Sequence, residues 1–68
     1  MRRYEFHRQG RVVWSLVFDK SLTRWCVEMW EPQKESVQFT LAEFESSAYG
    51  ARLSEQLAQA MRDAEADA

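Results

Sequence analysis

Val12-Val13-Trp14-Ser15-Leu16-Val17-Phe18 decides the fold of this chain. Seven residues rich in β-branched and aromatic types suit a pleated, half-buried strand far better than a helix. Working outward, residues 24–30, Arg-Trp-Cys-Val-Glu-Met-Trp, alternate apolar with other side chains at the period of a strand. Residues 3–8, Arg-Tyr-Glu-Phe-His-Arg, alternate too, and residues 36–40, Ser-Val-Gln-Phe-Thr, make a short fourth run. Gln9-Gly10, Asp19-Lys20-Ser21-Leu22 and Glu31-Pro32-Gln33-Lys34-Glu35 separate them with turn-forming types.

One choice of faces serves all four runs. Its inward set is Tyr4, Phe6, Val12, Trp14, Leu16, Phe18, Trp25, Val27, Met29, Val37 and Phe39. The register that follows sets Phe6 opposite Val12 and Tyr4 opposite Trp14, around a three-residue loop ending in Gly10. It then sets Leu16 opposite Trp25, Trp14 opposite Val27, Val27 opposite Phe39 and Met29 opposite Val37. A slip of one residue would turn a whole strand inside out. The other face carries Arg3, Glu5, His7, Arg11, Val13, Ser15, Val17, Arg24, Cys26, Glu28, Trp30 and Gln38.

Helix follows. Thr40-Leu41-Ala42-Glu43 has the spacing of a capping box, in which the threonine hydroxyl and the glutamate carboxylate each satisfy a free amide of the first turn. Leu41, Phe44, Ala48 and Ala51 form one apolar stripe; Tyr49, Leu53, Leu57, Ala60, Met61 and Ala64 form a second. On a straight helix at about 100° per residue the stripes lie roughly 170° apart. Ser46-Ser47 and Gly50 offer a break, so the chain either forms a short helix that kinks near Gly50, with a second helix from about 52 to 65, or runs straight and needs a partner over Leu53, Leu57 and Met61. The expected fold is α+β: a single two-layer domain over 1–68, with a four-stranded antiparallel β-meander over about 3–40 and a helical segment over about 41–66.

Composition bounds the function. A chain of 68 residues with 46% hydrophobic residues can build one core and no more. Its one cysteine, Cys26, cannot close an internal disulfide, which argues for a reducing, cytoplasmic setting. The segment from Met1 lacks the apolar stretch of a signal peptide, and no run reaches the ~18 apolar residues of a membrane span. Residues 1–30 carry Arg2, Arg3, Arg8, Arg11, Lys20 and Arg24 against Glu5, Asp19 and Glu28. Residues 31–68 carry eight acidic residues against Lys34, Arg52 and Arg62. Basic rims on strands and acidic wet faces on helices account for that asymmetry; a polyanion-binding half is the sharper alternative.

No catalytic or cofactor constellation is legible, and no enzyme, metal or small-molecule substrate is expected. His7 and Cys26 are too few for structural zinc and are not neighbours on the sheet. Glu43 and Glu45, or Asp63, Glu65 and Asp67, stand two apart, which points them to different helix faces. Gly10 and Gly50 cannot form a phosphate-binding loop. Val13, Val17, Cys26 and Trp30 give the outer face an apolar patch of the kind that marks protein association. The expected function is a non-catalytic protein-interaction or regulatory module, self-associating as a homodimer. Arg3, Arg11, Arg24 and Trp30 form the alternative, a surface that stacks and neutralises single-stranded nucleic acid.

Gln9-Gly10-Arg11-Val12-Val13 leading into the second strand, and Val37-Gln38-Phe39-Thr40-Leu41-Ala42-Glu43-Phe44 running from strand into helix, resemble in outline the transcriptional coactivator family of the positive-cofactor-four type. The resemblance implies a dimer that grips single-stranded DNA with basic and aromatic sheet residues. This chain departs from the pattern in its acidic net charge, in lacking Lys-rich loops, and in placing Glu5 and Glu28 on the candidate face.

Overall fold

A computed structural model describes residues 3–67. Four strands, β1 (Arg3–Gln9), β2 (Val12–Asp19), β3 (Arg24–Trp30) and β4 (Val37–Thr40), pair in chain order as one antiparallel sheet. Three helices follow: α1 (Leu41–Ser46), α2 (Ala48–Arg52) and α3 (Ser54–Ala66). All the helical apolar side chains that are buried meet one face of the sheet. Trp14, Leu16 and Val27 pack there against Phe44, Leu53, Leu57, Ala60 and Ala64. The α+β meander-then-helix architecture is as the alternation and the capping box imply.

The third hairpin has the expected register, Val27 opposite Phe39 and Met29 opposite Val37. The second is displaced by two residues, with Leu16 opposite Val27 and Trp14 opposite Met29. Its loop is Lys20–Thr23, and Thr23 takes a left-handed φ of 53°. A β-branched residue rarely adopts that conformation, so a turn ending at Thr23 carries no residue-type signal. An even displacement keeps every side chain on its own face.

The first hairpin differs more. Tyr4 lies opposite Leu16 and Glu5 opposite Ser15, but His7 then lies opposite Trp14, with the register shifting between Glu5 and His7. Phe6 is the extra residue of a β-bulge, so Phe6 and His7 both turn toward the helices. The Phe6 ring meets Phe44 edge-on at 5.9 Å, and the His7 ring lies 5.3 Å from Trp14. His7 is thus not on the outer face beside Trp30 and Arg11. Past the bulge the strands close through two residues, Gly10 and Arg11, with Gly10 at φ 59° as the first residue of such a turn requires.

Thr40 caps α1 as the capping box demands. Its hydroxyl accepts from the Glu43 amide at 3.0 Å, and the Glu43 carboxylate accepts from the Thr40 amide at 2.9 Å. The helical segment breaks twice, at Ser47 and Leu53, rather than at Gly50. Ser47 ends α1 and caps α2, accepting from the Gly50 amide. Gly50 itself is buried where α2 crosses α1. A Cβ there would overlap the Phe44 carbonyl and the Glu45 backbone. The two breaks swing the second stripe back over the sheet, so Leu53 and Leu57 belong to the chain's own core. The straight-helix expectation, in which they meet a partner, is corrected on that ground. Tyr4 pins the far end of α3 by donating its hydroxyl to Asp67 at 2.9 Å.

Candidate functional site

Among the described residues, the face of the sheet turned away from the helices has no second layer over it. Its residues fall in rows set by the register. Arg8, Val13 and Trp30 make one row; Glu5, Ser15, Glu28 and Gln38 the next; Arg3, Val17, Cys26 and Thr40 the third. Asp19 and Arg24 close the far end. Small side chains hold the centre and long polar ones the surroundings.

The central positions are nonetheless buried: Ser15 is 2% exposed and Cys26 only 1%. Two polar bridges account for it. Arg3 on β1 donates from both terminal guanidinium nitrogens, Nη1 and Nη2, to the Glu28 carboxylate on β3. Since β2 lies between those strands, the bridge passes over Val17 and Ser15. Gln38 on β4 donates its amide to Asp19 on β2 at 3.0 Å, which carries that bridge over β3 beside Cys26. Between the two runs a groove of about 400 Å³, floored by Val17. Alkyl stems of long polar residues covering small apolar ones are a known way to dry a surface without a hydrophobic layer.

Asp19 is the most heavily hydrogen-bonded carboxylate on this face. It accepts from the Ser21 hydroxyl and amide, the Leu22 amide and Gln38. These donors, the Ser21 hydroxyl foremost and then Gln38, hold its carboxyl below the usual range. The hydrogen bonds fix the β2–β3 loop and the bridge to β4 together.

The structure places the expected site residues unevenly. Val13, Val17 and Cys26 share the outer face as expected, but all three are buried beneath their neighbours, and a partner meets the polar cover before it meets them. Trp30 is 45% exposed at the end of β3, directly opposite Val13. Leu53 and Leu57 are core; Met61 is exposed on α3, in the helical layer, whereas Trp30 stands on β3. The basic set is scattered. Arg3 is held by Glu28, and Arg11 sits in the β1–β2 turn. Arg24 and Trp30 stand at opposite ends of β3, roughly 20 Å apart at about 3.3 Å per residue. Arg8, which no sequence pattern singled out, joins the outer face because the bulge moves it there, where it pairs with Glu5 at 2.9 Å. Among the described residues no three His, Cys, Asp or Glu side chains gather as metal ligands, and no helix is long and apolar enough to cross a membrane.

No family model, no curated protein and no solved structure matches this chain.

Proposed function

We propose that this chain is a small non-catalytic protein-interaction module that self-associates, docking through the Trp30 end of its outer sheet face. The observation that carries the reading is Trp30 itself. A large aromatic side chain stands nearly half exposed opposite Val13, on a face that no layer of the described residues covers. Such residues anchor interfaces because they bury much area at small entropic cost. The surrounding ion pairs, Arg3–Glu28 and Arg8–Glu5, make a polar rim suited to a protein surface.

The same pairs weigh against the nucleic-acid alternative. Binding to a polyanion depends on cations free to replace counterions, and Glu28 and Glu5 already neutralise Arg3 and Arg8. Binding of a single-stranded oligonucleotide at low salt, weakening steeply as salt rises, would favour that alternative instead.

Sedimentation of the intact chain at rising concentration tests the proposal. Trp30→Ala should weaken association by at least tenfold, on the order of 2 kcal/mol for an anchor, while leaving the far-UV circular dichroism unchanged. A wild-type chain that stays monomeric to about 1 mM contradicts self-association.

A further inference from the structure

The sheet has two edges, and they differ in kind. Along β1 the bulge at Phe6 breaks the ladder, Arg3, Glu5 and Arg8 bring charge, and α3 is tied down against the strand through Tyr4 and Asp67. These are the usual devices against strand addition. Along β4 the strand itself, Val37-Gln38-Phe39-Thr40, is regular and uncharged, and only its last amide, that of Thr40, is capped by a carboxylate, from Glu43.

The free hydrogen-bonding groups of β4 can be located. The Thr40 amide goes to the Glu43 carboxylate instead of to β3. Backbone groups alternate in direction along a strand, so those of Gln38, an exposed residue, also point away from β3, and no strand among the described residues pairs with them. Val37, on the same face as Phe39, is left 43% exposed.

We propose that a second copy of this chain adds at this edge, β4 against β4, antiparallel about a two-fold axis through Gln38. Three features favour that occupant. Gln38 faces Gln38 of the other copy, so the two exchange both backbone hydrogen bonds. Val37 of each copy then lies opposite Phe39 of the other, which covers the exposed valine with an apolar cross-strand pair made twice. No charge in β4 repels its copy. The two-fold is perpendicular to the sheet, so the result is one eight-stranded sheet with all helices on one side, closed as isologous dimers are. The seam rests on the reading of the chain as self-associating, and it is separate from the Trp30 surface.

Sedimentation in the Trp30→Ala background separates the two. That variant should still dimerise, with a dissociation constant on the order of 10–100 µM, as befits a short seam. Adding Val37→Lys should raise the constant at least tenfold, an edge lysine being tolerated by the monomer. Exchange of the Gln38 amide in Trp30→Ala should slow as protein concentration rises, a readout that needs no edge variant to fold. A Trp30→Ala chain monomeric to about 1 mM overturns the seam while leaving the outer face standing. Dimerisation unaffected by Val37→Lys, or Gln38 exchange independent of concentration, also overturns it. Association that falls with Val37→Lys and ignores Trp30→Ala supports the seam and removes the outer face.

Discussion

The two faces of this sheet are dried by different means. Toward the helices, Trp14, Leu16 and Val27 are covered by other apolar side chains drawn from α1, from α3 and from Leu53 at the junction of α2 and α3. On the opposite face, Val17, Ser15 and Cys26 are as well hidden, yet their cover is two polar bridges reaching across a strand each. Equal burial therefore hides unequal energetics. Removing the first cover means unpacking the domain. Removing the second means breaking exposed hydrogen bonds, each worth little against water. A partner can displace the second and cannot displace the first.

Two residues of β2 on opposite faces, Trp14 and Val17, give the largest contrast. Trp14→Ala should cost on the order of 3–5 kcal/mol, comparable to the whole stability of a domain this small. Val17→Ala should cost only about 1 kcal/mol, because polar side chains close over the space. Urea denaturation of both variants checks this; similar losses would erase the distinction between the faces. Trp14, whose ring lies 5.3 Å from that of His7 and 5.6 Å from that of Tyr49, carries an indole N–H with no hydrogen-bond partner among the described residues. Trp14→Phe is accordingly expected to cost much less than the alanine.

Gly50→Ala comes next. The added methyl overlaps the α1 backbone, an overpacking expected to cost roughly 1–3 kcal/mol. A neutral Gly50→Ala, by thermal unfolding, would show that α2 does not press on α1 as described.

Thr40→Ala should cost about 1 kcal/mol through loss of the capping hydroxyl. The same cap gives a pH dependence. Glu43 is held below the ordinary carboxyl range, chiefly by the Thr40 amide, and Asp19 chiefly by the Ser21 hydroxyl. A lowered native value means that the contribution is complete above the ordinary range, about pH 4–4.5, and is lost as pH falls through it toward the lowered values. Asp19→Asn and Glu43→Gln should each flatten the acid limb of the stability–pH curve.

Smallest of all is the bridge energy itself. Arg3–Glu28 is partly exposed, with side chains 43% and 18% accessible, so a double-mutant cycle should give about 0.2–1 kcal/mol, smaller at high salt. A coupling of several kcal/mol would make the outer cover as firm as the core.

Much of this layout was legible in the sequence, and the failures have physical causes. Strand alternation and the Thr40–Glu43 box are local signals, and both survive folding intact. The inward set also survives, since its members differ in pairing but not in face. The bulge at Phe6 left no signal, because either Phe6 or His7 can serve as an apolar-facing residue and no glycine marks the extra position. Ser47 was visible as a break in the helix, whereas the role of Gly50 was not: its need is for close approach by the Phe44 carbonyl, a tertiary demand. The covering of Cys26 was illegible for the same reason. Asp19 and Gln38 are 19 residues apart, on strands that are not neighbours.

Cys26 is also the direct probe of the central claim. It is the chain's one cysteine and lies under the polar cover. Its rate of modification by a thiol reagent, measured in the native state over a series of low urea concentrations, reports how it becomes exposed. Polar side chains swinging aside expose almost no new surface, so the protection should be well below the global unfolding free energy and nearly independent of urea. Protection equal to the global value, falling with the full denaturant slope, would mean that the outer face opens only when the domain unfolds, and would contradict the account.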